Sequence, residues 1–345
     1  MTAPDALARR DALSRAAHLR AVRRFDDAER VVRQALSSFP DDPELLCELA
    51  AALLAAERHV DGLQAADAAV AAAPDRERGH RLRGLLLSML DRHPDAVLAA
   101  WTAVTLAPDE PYAGIAYSRV LQRAGRPADA AQAARRVVTL APSSPEAHLL
   151  LADVSGDLGD LATARRAYEE TLRLDPEHAA ARHDLAVLDA RTHHPGRALR
   201  GLIDAGRLAP AMAHVRTTAV AVLWQLAGRT RLWLVVATIA VLASSVDPLA
   251  TRVVTGAVLA LTVFLGWWTL RELPRGSWPV VVGTVRTDRP LTLVYAVLAL
   301  CLADLVVVLV TGLGGLAVLV WLALILLGLL TIAVGLARRR RRGTP

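Results

Sequence analysis

Two hydrophobic patterns divide the chain. Through residue 212, apolar positions return with the spacing of helical faces and are interrupted at a fixed interval. Pro40, Pro74, Pro108, Pro142, Pro176 and Pro210 each close an apolar helical stretch, and successive ones lie 34 residues apart. Setting that proline at position 32 gives repeats 9–42, 43–76, 77–110, 111–144, 145–178 and 179–212. Position 8 then reads Ala16, Ala50, Gly84, Ser118, Ala152, Ala186, and position 20 reads Ala28, Gly62, Ala96, Ala130, Ala164, Ala198. A helix breaker once per period predicts two helices of about 12–15 residues in each repeat. Small residues at fixed places allow those helices to cross closely, where a larger side chain would overpack. One helix pair cannot bury its apolar face alone, so neighbouring repeats must stack.

The fifth repeat carries the most detailed pattern: Pro145-Glu-Ala-His-Leu-Leu-Leu-Ala152, then Leu158-Gly-Asp-Leu-Ala-Thr-Ala164, Tyr168, and Leu172-Arg-Leu-Asp-Pro176. The first repeat adds Arg24-Phe-Asp-Asp-Ala28. Period and pattern together resemble the tetratricopeptide repeat over residues 9–212. The resemblance implies a right-handed α-solenoid whose concave face is lined by the first helix of each pair.

Beyond Met212 the pattern changes. Residues 213–230 read as an amphipathic capping or interfacial helix with a linker, carrying Trp224 on the apolar side. Four apolar runs follow, 232–246, 253–270, 291–310 and 316–337. At ~1.5 Å per residue the first covers about 22 Å, short against a hydrocarbon core of ~30 Å, while the others suffice. The fold class expected is therefore all-α, a six-repeat solenoid in residues 1–212 followed by a four-helix transmembrane bundle in 231–337 and a basic tail, 338–345.

Charge sharpens this division. Residues 1–230 hold 29 Arg against 30 Asp and Glu, a net −1, while residues 231–345 hold 11 against 4, a net +7. The basic surplus flanks apolar runs, so it reads as a membrane signal rather than a nucleic-acid surface. Arg229 and Arg231 precede the first run, Arg271, Arg275, Arg286 and Arg289 separate the second from the third, and Arg338 to Arg342 follow the fourth. The positive-inside rule then places both termini in the cytoplasm of a cell-membrane protein, and four spans agree with it. The Arg338–Arg342 run is expected at anionic headgroups. Trp233, Trp267, Trp268 and Tyr295 are expected at the cytoplasmic interface. Met1–Arg10 lacks the apolar stretch of a signal peptide.

Enzymatic signatures are missing. Lys and Asn do not occur at all, so a phosphate-binding loop with its lysine is excluded, and no Gly-x-Ser-x-Gly or His-Glu-x-x-His appears. Two cysteines, Cys47 and Cys301, cannot build a disulfide framework or a cysteine zinc site. His193 and His194, with Asp189 one turn before, read as a solvated turn, so no metal or other cofactor is expected. Asp304 lies inside the third apolar run, where a carboxylate marks a candidate functional position.

What remains is binding. Tetratricopeptide repeats contact ligands mainly from positions 2, 5, 9, 12 and 13 of the first helix. On that resemblance the groove-lining residues are Arg78, Arg81, Leu85, Ser88 and Met89 in the third repeat. In the fourth they are Tyr112, Ile115, Arg119, Gln122 and Arg123, and in the fifth Glu146, Leu149, Asp153, Gly156 and Asp157. The middle of the groove is basic and its far part acidic. Arg78, Arg81, Arg119 and Arg123 are expected to hold the carboxylates of an acidic or C-terminal peptide. The function expected is a non-catalytic, membrane-anchored scaffold that binds a protein or peptide. The alternatives are a transporter or channel subunit with a regulatory repeat domain, and an accessory subunit of a cell-envelope biosynthesis complex.

Overall fold

A computed structural model describes residues 3–209, 213–273 and 277–328. Every regular element among them is helical. The chain divides into two compact units between Pro176 and Glu177, one repeat earlier than the boundary near residue 212 that the periodicity suggests.

The first unit holds five helix pairs: α1 (Ala3–Ala21) with α2 (Phe25–Leu36), α3 (Pro43–Ala55) with α4 (His59–Ala72), α5 (Glu77–Met89) with α6 (His93–Leu106), α7 (Pro111–Arg123) with α8 (Pro127–Leu140), and α9 (Pro145–Leu158) with α10 (Leu161–Leu174). Each pair turns through the same device. Repeat position 15 is left-handed in all six repeats, with φ of +61° at Arg23, +61° at Glu57, +57° at Asp91, +71° at Gly125, +85° at Gly159 and +66° at His193. The next amide then reaches back five residues, as in Arg58 N to Leu53 O and Arg126 N to Leu121 O, both 2.9 Å. This is the closure that satisfies the last carbonyls of a helix. Only two of those six residues are glycine, the type that takes this conformation without strain. Four repeats follow the turn with an Arg–Asp pair three residues apart: Arg24–Asp27 and Arg58–Asp61 at 2.5 Å, Arg92–Asp95 and Arg126–Asp129 at 2.6 Å.

Between repeats, capping side chains restart the helices. Asp42 accepts from the amides of Glu44 and Leu45 ahead of Pro43, and Ser144 accepts from Ala147 ahead of Pro145. The expected helix crossings are buried, with Ala16, Ala50 and Ala152 at position 8 and Ala28, Ala96, Ala130 and Ala164 at position 20 all at 0% exposure. In the fourth repeat Ser118 at position 8 donates from Oγ to the carbonyl of Ala130 at position 20, 2.9 Å away. In the third, Gly84 backs directly onto α6, where an added Cβ would come 2.9 Å from the Ala100 amide nitrogen.

The second unit begins with the sixth repeat, α11 (Ala179–Arg191) and α12 (Pro195–Leu208). It continues as α13 (Ala213–Ala243), α14 (Pro248–Leu270), α15 (Trp278–Thr287) and α16 (Arg289–Thr311), and a shorter apolar helix, α17 (Gly314–Gly328). The separate capping helix expected over 213–230 is absent, because α13 runs unbroken through Gly228 into the first apolar run. At ~1.5 Å per residue its 31 residues extend about 46 Å. Its two halves serve different cores. Val222 and Leu223 pack with Ala198, Leu199 and Leu202 of the sixth repeat, Val281 of α15 and Leu291 of α16. Ala227, Leu234, Ala237 and Val241 pack with Val258, Val294, Leu298, Leu305 and Leu324. That shared packing outweighs the single glycine. The sequence pattern does not predict α15, since Val280 to Val285 carries no helical period. Val281 and Val285 make it a lid on the sixth repeat's core.

Three helices here are long and apolar enough to cross a membrane, over Val215–Ala243, Pro248–Leu270 and Arg289–Thr311. The fourth expected span is described only to Gly328. Residues 329–337 and Arg338–Arg342 lie outside the described residues. Threonines within the apolar helices return their hydroxyls to the helix, as in Thr255 Oγ1 to Thr251 O and Thr262 Oγ1 to Val258 O, both 2.7 Å.

The turn chemistry predicts opposite effects three residues apart. Gly156 is helical with open space at a built Cβ, so Gly156→Ala should stabilise by about 0.4–1 kcal/mol. Gly159 is equally open but left-handed, so Gly159→Ala should cost about 1–2 kcal/mol. Denaturant unfolding of the full chain in detergent measures both. Changes of the same sign would refute the left-handed turn.

Candidate partner-binding groove

The first helices α1, α3, α5 and α7 present one groove of about 550 Å³, with Ala51, Leu54, Ala55, Leu82 and Leu85 as its apolar lining. Its polar edge is Arg20, Arg78, Arg81 and Tyr112. Ala51, Leu54 and Ala55 occupy positions 9, 12 and 13 of the second repeat, Arg78, Arg81 and Leu85 positions 2, 5 and 9 of the third, and Tyr112 position 2 of the fourth. These are the positions expected to bind ligand, displaced toward the N-terminal repeats.

At the back of the groove stands Glu48, only 3% exposed. Arg20 Nε donates to its Oε1 at 2.9 Å and Arg78 Nη2 to its Oε2 at 2.7 Å. One carboxylate thus clamps guanidiniums from α1 and α5 across α3. Such charge-assisted bonds are each worth about 1.5–3 kcal/mol where buried, and less here because both arginines are about one-third exposed. Arg81 pairs along its own helix with Glu77 at 3.0 Å, and its guanidinium carbon lies 5.9 Å from the Tyr112 ring centroid. Neither Arg20 nor Glu48 is a candidate by the third- to fifth-repeat pattern. Arg20 is position 12 of the first repeat, so the same rule carried one repeat back finds it. For Glu48 the signal is a lone carboxylate in the apolar run Leu45-Leu-Cys-Glu-Leu-Ala50.

Other expected residues are spent differently. Ser88 is 1% exposed and does not line the groove. Its carbonyl accepts from Arg123 Nε at 3.3 Å, and Arg123 also faces Asp91 at 3.7 Å. Arg119 is exposed and forms no ion pair among the described residues. The acidic stretch is engaged within the protein. Asp157 accepts from Gln122 Nε2 at 2.5 Å, Asp153 from the Tyr168 hydroxyl at 2.8 Å, and Glu146 from Ser144 Oγ at 2.9 Å.

In the second unit, Asp304 Oδ2 is buried without a hydrogen-bond partner among the described residues. Arg252 does not approach it, donating instead to the Thr311 carbonyl at 3.3 Å. Of the expected interfacial aromatics, Trp267 and Trp268 are exposed, with Arg271 stacked 3.4 Å over Trp268. Trp233 and Tyr295 turn inward, to Thr262 Oγ1 and the Leu223 carbonyl, each at 2.9 Å. Among the described residues no three His, Cys, Asp or Glu side chains gather as a metal site.

Beside the groove, Cys47 is buried, and burial pushes its thiol up to about 11 against the lowering pull of Arg78 and Arg81. A thiol raised in this way stays protonated until pH rises toward that value. At pH 8 its thiolate fraction falls roughly 100-fold below that of an ordinary cysteine. Iodoacetamide should therefore leave Cys47 of a Cys301→Ala variant almost unmodified, the rate climbing through pH 10 and on unfolding. Rapid labelling of the folded protein at pH 8 would contradict this burial.

Residues 19–86 and residues 113–154 match family models described as tetratricopeptide repeat. Among solved structures, the chain is similar to the APC/C hetero-tetramer Cut9–Hcn1, with a TM-score of 0.53 and 14% identity over 59% of this chain and 41% of that one. It is also similar to a thermophilic TPR protein of Thermus thermophilus, with a TM-score of 0.49 and 22% identity over 52% of this chain and 97% of that one. A third is PilF of Pseudomonas aeruginosa, with a TM-score of 0.49 and 18% identity over 62% of this chain and 98% of that one. The first of these likenesses supports the helical-repeat fold alone. No curated protein matches the chain.

Proposed function

From the premise that these repeats belong to the tetratricopeptide-repeat family, we propose that the chain is a membrane-anchored scaffold that captures an acidic peptide or protein segment in the groove of α1, α3, α5 and α7. The observation that carries this reading is the groove itself, an apolar floor edged by three guanidiniums and a tyrosine. Two internal carboxylates, Glu48 and Glu77, hold the three arginines in place and leave the edge cationic. A partner carboxylate gains a charge-assisted hydrogen bond there while an adjacent apolar side chain fills the floor. Arg119, two turns along α7 from Tyr112, extends the cationic edge. The family's usual carboxylate clamp uses Lys and Asn, and neither exists in this chain, so the grip proposed is built from arginine alone.

The anchor is the apolar part of the second unit. The excess of arginine beside the apolar helices supports a topology with the repeats, both termini and the α14–α16 connection in the cytoplasm. The reading is non-catalytic.

The binding test is recovery of partners after gentle detergent extraction, quantified by mass spectrometry. Arg81→Glu combined with Arg119→Glu should cut recovery of the specific partner at least tenfold while helical content stays unchanged. Undiminished recovery by the folded double variant would overturn the groove assignment.

Topology is tested by single cysteines at Ser143 and Leu313 in a cysteine-free background. Leu313 is 61% exposed, whereas neighbouring Gly314 is buried against Ser245 and unsuitable. A membrane-impermeant maleimide on intact cells should label position 313 and spare position 143. The reverse pattern would invert the orientation.

A second reading, a transporter or channel subunit, is favoured by one feature, the unpartnered Asp304 oxygen within α16. Solute flux in reconstituted vesicles that is lost in Asp304→Asn would establish it in place of the scaffold.

A further inference from the structure

The second helices carry a different feature. Positions 22 and 25 of the repeat face outward on these helices, and in four of the first five repeats they are polar: Arg30 and Arg33, Gln64 and Asp67, Gln132 and Arg135, Arg166 and Glu169. In the third repeat they are Leu98 and Trp101, exposed to 65% and 50%. Trp101 is the only tryptophan before Trp224. Nothing in the helix-pairing pattern requires two large apolar groups there, since the pair α5–α6 closes through Gly84, Ala96 and Ala100 on other faces.

Trp101 borders a hollow of about 720 Å³ between α6 and α8, floored by α7. The floor is Gly114, Tyr117 and Leu121, which at about 100° per residue lie across α7 from the groove residue Tyr112. Gly114 keeps the floor low, since a Cβ there would come 2.6 Å from Val137 Cγ2. Trp101 and Tyr117 stand 5.5 Å apart between ring centroids, tilted by 51°. The rim is cationic. Arg126 is balanced by Asp129 at 2.6 Å. Arg136 reaches only the Pro108 carbonyl at 3.4 Å, and no carboxylate pairs with it among the described residues.

We infer that this hollow is a second binding site, separate from the first-helix groove, for an acidic segment of another protein that inserts one large apolar side chain beside Trp101 and Tyr117 and sets a carboxylate against Arg136. The apolar volume selects the side chain, and the unbalanced guanidinium selects the charge. A scaffold with two such faces can hold two partners at once.

The test places a photo-crosslinker in the full-length, membrane-resident protein as Leu98→p-benzoylphenylalanine, an exposed position whose replacement leaves the core untouched. After irradiation in the cells of origin, the adduct is purified and the crosslinked peptide sequenced. The expected result is a segment of another protein with acidic residues flanking a large apolar one. Its yield should fall at least tenfold with Arg136→Glu and be unchanged by Arg81→Glu with Arg119→Glu, which separates this site from the groove. No adduct, an adduct to a second copy of this chain, an adduct to a neutral or basic segment, or a yield indifferent to Arg136→Glu would each overturn the assignment.

Discussion

Close approach of paired helices at small residues is the constraint from which the repeat architecture follows. Where position 8 meets position 20, alanines at 0% exposure leave no room for a larger side chain. Backbones so close fix the length and direction of the turn between them, and the turn must be made in few residues. The left-handed residue at position 15 and the backward amide bond after it meet that demand in all six repeats. Four side chains are held in this strained region because packing on both sides over-determines the turn. The helix pairing therefore sets the local backbone, and not the reverse.

This order explains what could be read from sequence. The 34-residue proline interval and the small residues at positions 8 and 20 are properties of packing, and packing repeats. The left-handed turn was hidden because Arg23, Glu57, Asp91 and His193 are not residues that announce it, whereas the Gly159-Asp160 step in the fifth repeat does. Continuity of α13 through Gly228 was hidden for a related reason, as burial on two different cores overrides a local helix breaker. In α15, burial of Val281 and Val285 on the sixth repeat's core accompanies a helix in a segment without helical period. Repeat position alone puts Arg78, Arg81 and Tyr112 on the first-helix face, and all three line the groove. The engagement of the acidic side chains is not legible in that way. Side chains such as Asp157 and Asp153 can be assigned to a face from sequence, but their engagement by Gln122 and Tyr168 depends on helices 15 to 35 residues away.

The groove's electrostatics rest on an all-arginine composition. A guanidinium can bond one carboxylate through part of its fork and still present N–H donors elsewhere, which an ammonium does with less geometric control. Glu48 uses this property twice, with Arg20 and with Arg78. Holding these side chains before a ligand arrives lowers the rotamer entropy that binding would otherwise remove, roughly 0.5–1.5 kcal/mol for each long side chain ordered. The buried carboxylate is thus a positioning device, and its desolvation is offset by the two cations that it holds.

In the second unit the last repeat cannot be separated from the apolar helices. Gly196 lies so close to the Thr269 carbonyl that a Cβ would overlap it, and Arg200 donates to the Glu272 carbonyl. Arg197 also meets the Glu272 carboxylate at 3.6 Å, and His183 bonds the Thr218 hydroxyl at 3.2 Å. Its apolar side shares one core with α13, α15 and the start of α16. A solenoid end normally needs a polar cap to shield the face that no further repeat covers. Here the apolar helices supply that cover for the sixth repeat, so a truncation at residue 212 would expose Leu199, Leu202 and Ile203. The repeat that completes the sequence period is physically the first element of the second unit, which is why a boundary drawn from periodicity and one drawn from packing differ by one repeat.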